Sequence, residues 1–143
     1  MVVTILVAGV AGYCAFLQKD SGGTPGSQFT YTLTHTTTSI NVPKGSVLVV
    51  IPLGANENSN LTFKPLNLKV ESGVNNTLLF YDNDTYEHIV ETTEWPSGGS
   101  PFQVFVLPHK TSSVTLNGTG LYQYNFEIGT PLKENGTVTV VPG

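Results

Sequence analysis

The sequence predicts an all-β sandwich preceded by a single N-terminal apolar helix. Three observations lead there. Apolar residues recur with period two, as in Phe29, Tyr31 and Leu33 against Thr30, Thr32 and Thr34, the pattern of a half-buried strand. Seven or so such short runs follow one another, with Gly, Pro, Asn and Asp turns between them, which is the layout of a sandwich. No helical pattern occurs after the first 20 residues.

Composition narrows the class. The 143 residues allow one domain and one extra segment, enough for a real core. Only 11% are charged and the formal net charge is −4, which excludes the basic footprint of a nucleic-acid binder. Low charge does not mean disorder here, because 39% of the residues are hydrophobic. Ser, Thr and Asn fill the polar positions, as suits a turn-rich β domain outside the cytoplasm. The single cysteine, Cys14, excludes an internal disulfide, a zinc cluster and a CxxC redox motif. Its place in the apolar N-terminal run keeps it away from any site in the β domain.

Met1 to Leu17 carries no charge, and Lys19 and Asp20 end the run. It lies at the short end of the roughly 17–25 residues a spanning helix needs. A cleaved signal peptide would show a basic start, and a lipoprotein signal would have a small residue where Tyr13 precedes Cys14. A retained anchor over residues 1–20 fits best. Gly9 and Gly12, with Ala8, Ala11 and Ala15, give it a small-residue face for another membrane helix, unless they are simply lipid-tolerant. Residues 21–28, with Ser21 to Ser27 reading SGGTPGS, form a flexible linker. The domain then runs over 29–143.

Within it, Phe29 to Thr34 is the first strand, and Ile40 to Gly45 approaches a turn. Val47 to Ile51 is a continuous apolar strand, and Gly54 to Asn60 a polar loop. Phe63 to Val70 alternates Leu66, Leu68 and Val70 against Asn67 and Lys69. Ser72-Gly73 turns the chain into Thr77 to Tyr81. Asp82-Asn83-Asp84 is a turn before His88 to Val90, and Glu91 to Pro101 is a loop holding Trp95. Phe102 to Leu107 and Ser113 to Leu116 follow. The chain closes with Leu121 to Phe126 and Gly136 to Val140.

Five N-x-[ST] sequons occur, at Asn60, Asn75, Asn83, Asn117 and Asn135. Roughly two would arise by chance in such a chain. Their number and their places at loops and strand ends predict an exported, glycosylated surface. With the low charge, they suit an archaeal or otherwise harsh exterior.

From Phe63 onward, about the last 80 residues, the chain resembles the cupredoxins, the family of plastocyanin and the archaeal sulfocyanins. Three pieces carry the resemblance. Phe63-x-Pro65-x-x-Leu68-x-Val70-x-x-Gly73 is similar to the strand and turn that open the family's core motif. Phe80-x-Asp82-Asn83-Asp84-x-x-x-His88 is similar to the strand and loop that deliver its first histidine ligand. Gly120-x-Tyr122-x-Tyr124 through Gly136-x-Val138-x-Val140 is similar to its closing hairpin. The resemblance implies a cupredoxin-like Greek-key sandwich with one change. Type 1 copper needs a thiolate, two imidazoles and a weak axial ligand. The position matching the family's cysteine is Phe126, the second histidine falls at Gly129, and the axial methionine region at Lys133 and Glu134. His88 alone is kept, as a relic ligand position, so neither mononuclear nor dinuclear copper is expected.

His88 could be left in a weaker His/carboxylate site with His109, Glu91 or Glu94, or be a loop histidine bonded to backbone, which is the favoured reading. His35 has no evident partner. Trp95 is either a partner-facing anchor or a cap on the sandwich. No motif such as G-x-S-x-G points to a hydrolytic triad, so no catalytic residue is assigned.

An apolar anchor, a linker and a cupredoxin-like domain is also the layout of subunit II of haem–copper terminal oxidases. Quinol oxidases of that superfamily have such a subunit without copper, because quinol delivers electrons within the membrane. The resemblance implies a non-catalytic subunit on the outer face of the membrane, bound to an integral catalytic subunit that holds haem and copper. The alternatives are a glycosylated surface or pilin-like filament protein, and a membrane-tethered copper carrier with an atypical site.

Overall fold

In the computed structural model the described residues are 3–4, 27–33 and 36–143. They divide into two units, Met1–Lys44 and Gly45–Gly143. The predicted anchor helix, apart from Val3–Thr4, lies outside the described residues, as do Cys14, most of the linker and His35. Among the described residues no helix is long and apolar enough to cross a membrane.

The first unit is a three-stranded sheet. Strand β1 (Val3–Thr4) runs parallel to β2 (Ser27–Leu33), and β2 forms an antiparallel hairpin with β3 (Thr36–Val42). The register runs from Ser27 opposite Val42 to Leu33 opposite Thr36. Two sequence expectations are corrected here. Ser27 and Gln28 belong to the strand rather than the linker, and β3 runs from Thr36 to Val42, into the stretch from Ile40 to Gly45 that read as a turn approach. Three consecutive threonines start β3, and β-branched side chains suit a pleated surface even without apolar alternation.

The second unit is the sandwich. One sheet has the order β4-β6-β9, from β4 (Ser46–Ile51), β6 (Thr77–Asp82) and β9 (Thr111–Thr115). The other has the order β5-β11-β10-β7-β8, from β5 (Asn67–Glu71), β7 (His88–Glu94), β8 (Gln103–Val106), β10 (Gly120–Phe126) and β11 (Gly136–Val141). Parallel pairs join β4 to β6 and β5 to β11, and the other ladders are antiparallel. The segment Phe63 to Val70 is thus shorter as a strand than its alternation predicts. It starts with a bridge from Lys64 to Val50 and a cis Lys64–Pro65 bond before β5 begins at Asn67. Proline cannot donate to a ladder, which accounts for the late start.

Inward residues of both sheets make one core, including Val49, Ile51, Leu78, Phe80, Val90, Val106, Tyr122, Val138 and Val140. Aromatic rings fill its middle. Tyr124 meets Phe63 edge-on at 5.0 Å between ring centres and Phe80 at 5.4 Å. Gly136 makes room for this cluster, since a Cβ there would overlap the Tyr124 ring. Asp84 ties the turn after β6 to the loop after β4 through the Gly54 and Asn56 amides, and the Lys133 amide joins the loop after β10 to Ser59 O.

Candidate functional site

The site is the loop end of the sandwich around His88. Strand β6 ends at Asp82, the chain turns through Asn83 to Glu87, and β7 starts at His88. Alternation along β7 turns His88, Val90 and Thr92 inward, so the ring is buried, with 3% of its surface exposed. Its Nδ1 lies 2.9 Å from Asp82 Oδ2, and its Nε2 lies 3.6 Å from Asp84 Oδ2. Both carboxylates are buried as well, at 0% and 1% exposure. The Phe126 ring covers one face of the imidazole at 4.3 Å between centres, inclined by 31°. Phe63 in turn meets Phe126 edge-on at 5.3 Å.

Each carboxylate has further work. Asp82 Oδ1 accepts from the Asp84 amide at 2.8 Å, and its backbone exchanges bonds with Lys110 O and His109 N. Asp84 accepts from the amides of Gly54, Asn56 and Thr85 at 3.1, 2.9 and 2.8 Å. Burial pushes the Asp84 carboxyl up, but the three amides and the neighbouring His88 more than offset it, and its pKa lies below the ordinary carboxylate value of 3.8. A lowered folded value means stability that is present above 3.8 and lost as pH falls through the folded value. Acid unfolding is therefore expected to be milder in Asp84→Asn than in the wild type. Equal loss of stability in both below pH 4 would show that Asp84 carries none of it.

The loop after β10 is held by Asn125. Its Nδ2 donates to Leu132 O and Asn135 Oδ1, each at 2.8 Å, and its Oδ1 accepts from the amides of Phe126 at 2.9 Å and Leu132 at 3.0 Å. Asn125 and Leu132 are buried. Asn125→Ala leaves these backbone groups without their partner, at about 1–3 kcal/mol for each that water cannot reach. A loss of about 2–4 kcal/mol is expected in denaturant unfolding, and a value below the usual single-bond contribution would mean that the loop re-forms without the clamp.

Of the predicted positions, His88 and Phe126 lie in ring contact. Gly129, with φ of 95°, and Glu134 sit on the exposed part of the loop. Lys133 is exposed too, its amide donating to Ser59 O at 2.7 Å. His88 bonds to a carboxylate rather than to backbone, contrary to the sequence reading. The suggested partners are corrected as well. Glu91 lies on the opposite face of β7, three residues along, and Glu94 is exposed and accepts from Gln123 at 2.5 Å. His109 is exposed in the turn after β8, with φ of 58°. The partners that composition did not reveal are Asp82 and Asp84. They read as a turn, and their only signal was two carboxylates close before a strand-starting histidine. Trp95 is exposed. Among the sequons, Asn83 is 8% exposed, and its backbone N–H donates to Ile51 O. The Nδ2 of Asn117 donates to Ser100, and that of Asn135 to Thr93 and Gln123. Asn60 is exposed and Asn75 half-buried.

These residues do not fit a type 1 copper centre. The Phe126 ring, where the family resemblance expects a soft thiolate, lies against His88, and the ring nitrogens of His88 face carboxylates. Among the described residues no group of three His, Cys, Asp or Glu side chains is arranged to hold a metal ion.

The fold is cupredoxin-like, and the structural comparisons agree. A purple cupredoxin from Nitrosopumilus maritimus superposes with a TM-score of 0.53 at 20% identity, covering 66% of this chain and 98% of its own. The Cu(I) form of an amicyanin point mutant gives 0.52 at 19%, covering 70% and 86%. A copper-containing nitrite reductase from Thermus scotoductus SA-01 gives 0.53 at 18%, over 78% of this chain and 25% of the enzyme. At these identities the likeness is one of fold. No family model matches the chain, and no curated protein matches its sequence.

Proposed function

We propose that the chain is a copper-less, cupredoxin-like subunit of the subunit II type in a membrane respiratory terminal oxidase that takes electrons from quinol. The observation that carries the reading is Phe126 lying against the buried His88 at 4.3 Å. The cupredoxin frame is kept while the thiolate position holds a hydrocarbon ring that packs into the core. Such a domain has no redox centre of its own to offer, so its contribution is structural. In this reading residues 1–20 anchor the chain in the cell membrane and pack on the helices of the catalytic subunit. The β domain covers the extracytoplasmic face of that subunit, which holds the haem and copper of the complex. Sugars on the accessible sequons, Asn60 first among them, and an archaeal host fit the same outer surface.

The test is purification from native membranes in mild detergent, with a haem difference spectrum and metal analysis on the intact particle. Stoichiometric haem with the chain, and no copper bound by the separated chain, is the expected result. A particle without haem sinks the oxidase reading and turns attention to a surface or filament protein, which micrographs of fibres would establish. Stoichiometric copper on the chain itself with an intense visible band would instead make it an electron carrier with an atypical site.

A further inference from the structure

Strands β4, β6 and β10 begin, and β5, β7, β9 and β11 finish, at the end of the sandwich opposite His88. The chain also enters the sandwich at this end, at Gly45 just before β4. Close approaches knit it together. Gly45 O accepts from the Thr77 amide, Asn76 Nδ2 donates to Leu116 O at 2.6 Å, and a Cβ on Gly118 or Gly120 would overlap Gly99 or Pro96. Three large apolar side chains stand out from this end, Val74, Trp95 and Leu121, at 58%, 48% and 46% exposure. Neither the core nor the His88 site uses them. We propose that the entry end of the sandwich docks on the bilayer surface, with Val74, Trp95 and Leu121 among the lipid headgroups and the loops around His88 turned away from it.

The length of the tether singles out lipid as the occupant. The apolar run ends at Leu17, and nine residues separate it from Ser27, a reach of at most about 30 Å. Ser27 stands opposite Val42 in the β2–β3 ladder, so the hairpin gives back the length it takes, less one interstrand spacing of about 5 Å. Pro43 and Lys44 then lead into Gly45. With residues 1–20 in the membrane, the entry end is therefore held near it, whether the run crosses the bilayer or lies in its surface. Tryptophan is the side chain best suited to that boundary, with an apolar body and one N–H for the wet side. Charge points the same way. At the loop end Glu57, Glu87, Glu127 and Glu134 are exposed against two lysines, Lys110 and Lys133, which suits an anionic lipid surface badly. At the entry end Lys69 accompanies Glu71, and Glu94 accepts from Gln123. The most exposed sequon, Asn60, lies in the loop after β4 and so faces outward, while Asn75 and Asn117 at the entry end are engaged with the Glu71 amide and with Ser100.

The docking rests on the membrane anchoring proposed for residues 1–20 but not on the oxidase reading, and the test keeps the two apart. The full chain is reconstituted into vesicles of phosphatidylcholine and phosphatidylglycerol. Trp95 is the only tryptophan, so its emission reports on this end alone. In vesicles whose lipids are brominated high in the acyl chains, Trp95 emission is expected to fall by about half or more against unbrominated vesicles, as for a ring at the headgroup–acyl boundary. The double variant Val74→Glu, Leu121→Glu changes two exposed positions. It should lose most of this quenching while still floating with the vesicles, and quenching that survives it overturns the assignment. A wild-type chain that floats but whose Trp95 is untouched by brominated lipid overturns the docking, leaves the anchor standing and frees this end for the partner subunit. A chain that does not float overturns anchor and docking together. A glycan on Asn75 of the native chain, beside Val74, also overturns the docking.

Discussion

Replacing Phe63 with alanine is expected to destabilise the chain by about 3–5 kcal/mol. Phe63 is fully buried and stands between the two sheets, edge-on to both Tyr124 and Phe126. Its removal takes away a large apolar surface and leaves a void that β10 cannot close without moving. Two edge-to-face contacts, each of the order of 0.5–1.5 kcal/mol beyond burial, go with it. Because Phe126 rests on Phe63 on one side and on His88 on the other, the damage should reach the site. In guanidinium unfolding the midpoint should fall, and the His88 ring signals in NMR should shift. A loss under about 1.5 kcal/mol, typical of volume-conserving swaps, would mean that the surrounding rings collapse into the space. Tyr124 would then be the residue that holds the layer together.

Asp82→Ala should cost as much by a different route. The substitution removes the carboxylate that is bonded to both His88 Nδ1 and the Asp84 amide. Breaking a buried pair by deleting one partner typically costs about 3–5 kcal/mol, because the other partner stays behind without compensation. The damage should be confined to the loop end, since the backbone of residue 82 keeps its bonds to Lys110 and His109. The double variant Asp82→Ala, His88→Leu separates the causes. If the loss comes from an uncompensated imidazole, replacing the imidazole with an apolar side chain recovers much of it. A double variant as unstable as Asp82→Ala alone would place the loss in the bond to Asp84 instead.

Much of the sandwich was legible. Strands β10 and β11 stand within a residue of where alternation and turn residues put them, because Tyr122, Tyr124, Val138 and Val140 alternate inward. Strand β3 was not legible, since a run of threonine carries no apolar period. The early end assigned to the strand at His88 had a similar cause. Thr92 and Thr93 read as loop, yet Thr92 is an inward residue whose hydroxyl accepts from the Phe102 amide at 3.0 Å. The Asn125 clamp gave no signal at all, because an asparagine at a strand end reads equally well as a turn residue.

The sequence by itself determined one ligand type that residues 29–143 do not contain. Ligand identity is a property of residues, and with Cys14 the only cysteine in 143 residues, no arrangement of the β domain supplies a thiolate. It also determined the strands whose apolar residues alternate, such as β10 and β11, because strand alternation is local. Only the tertiary structure decided what surrounds His88. The partners of a buried polar group depend on which distant segments cross beside it. The Asp84 carboxylate meets amides 28 and 30 residues away in the chain, a closure set by the parallel pairing of β4 with β6 rather than by any pattern in the residues between them.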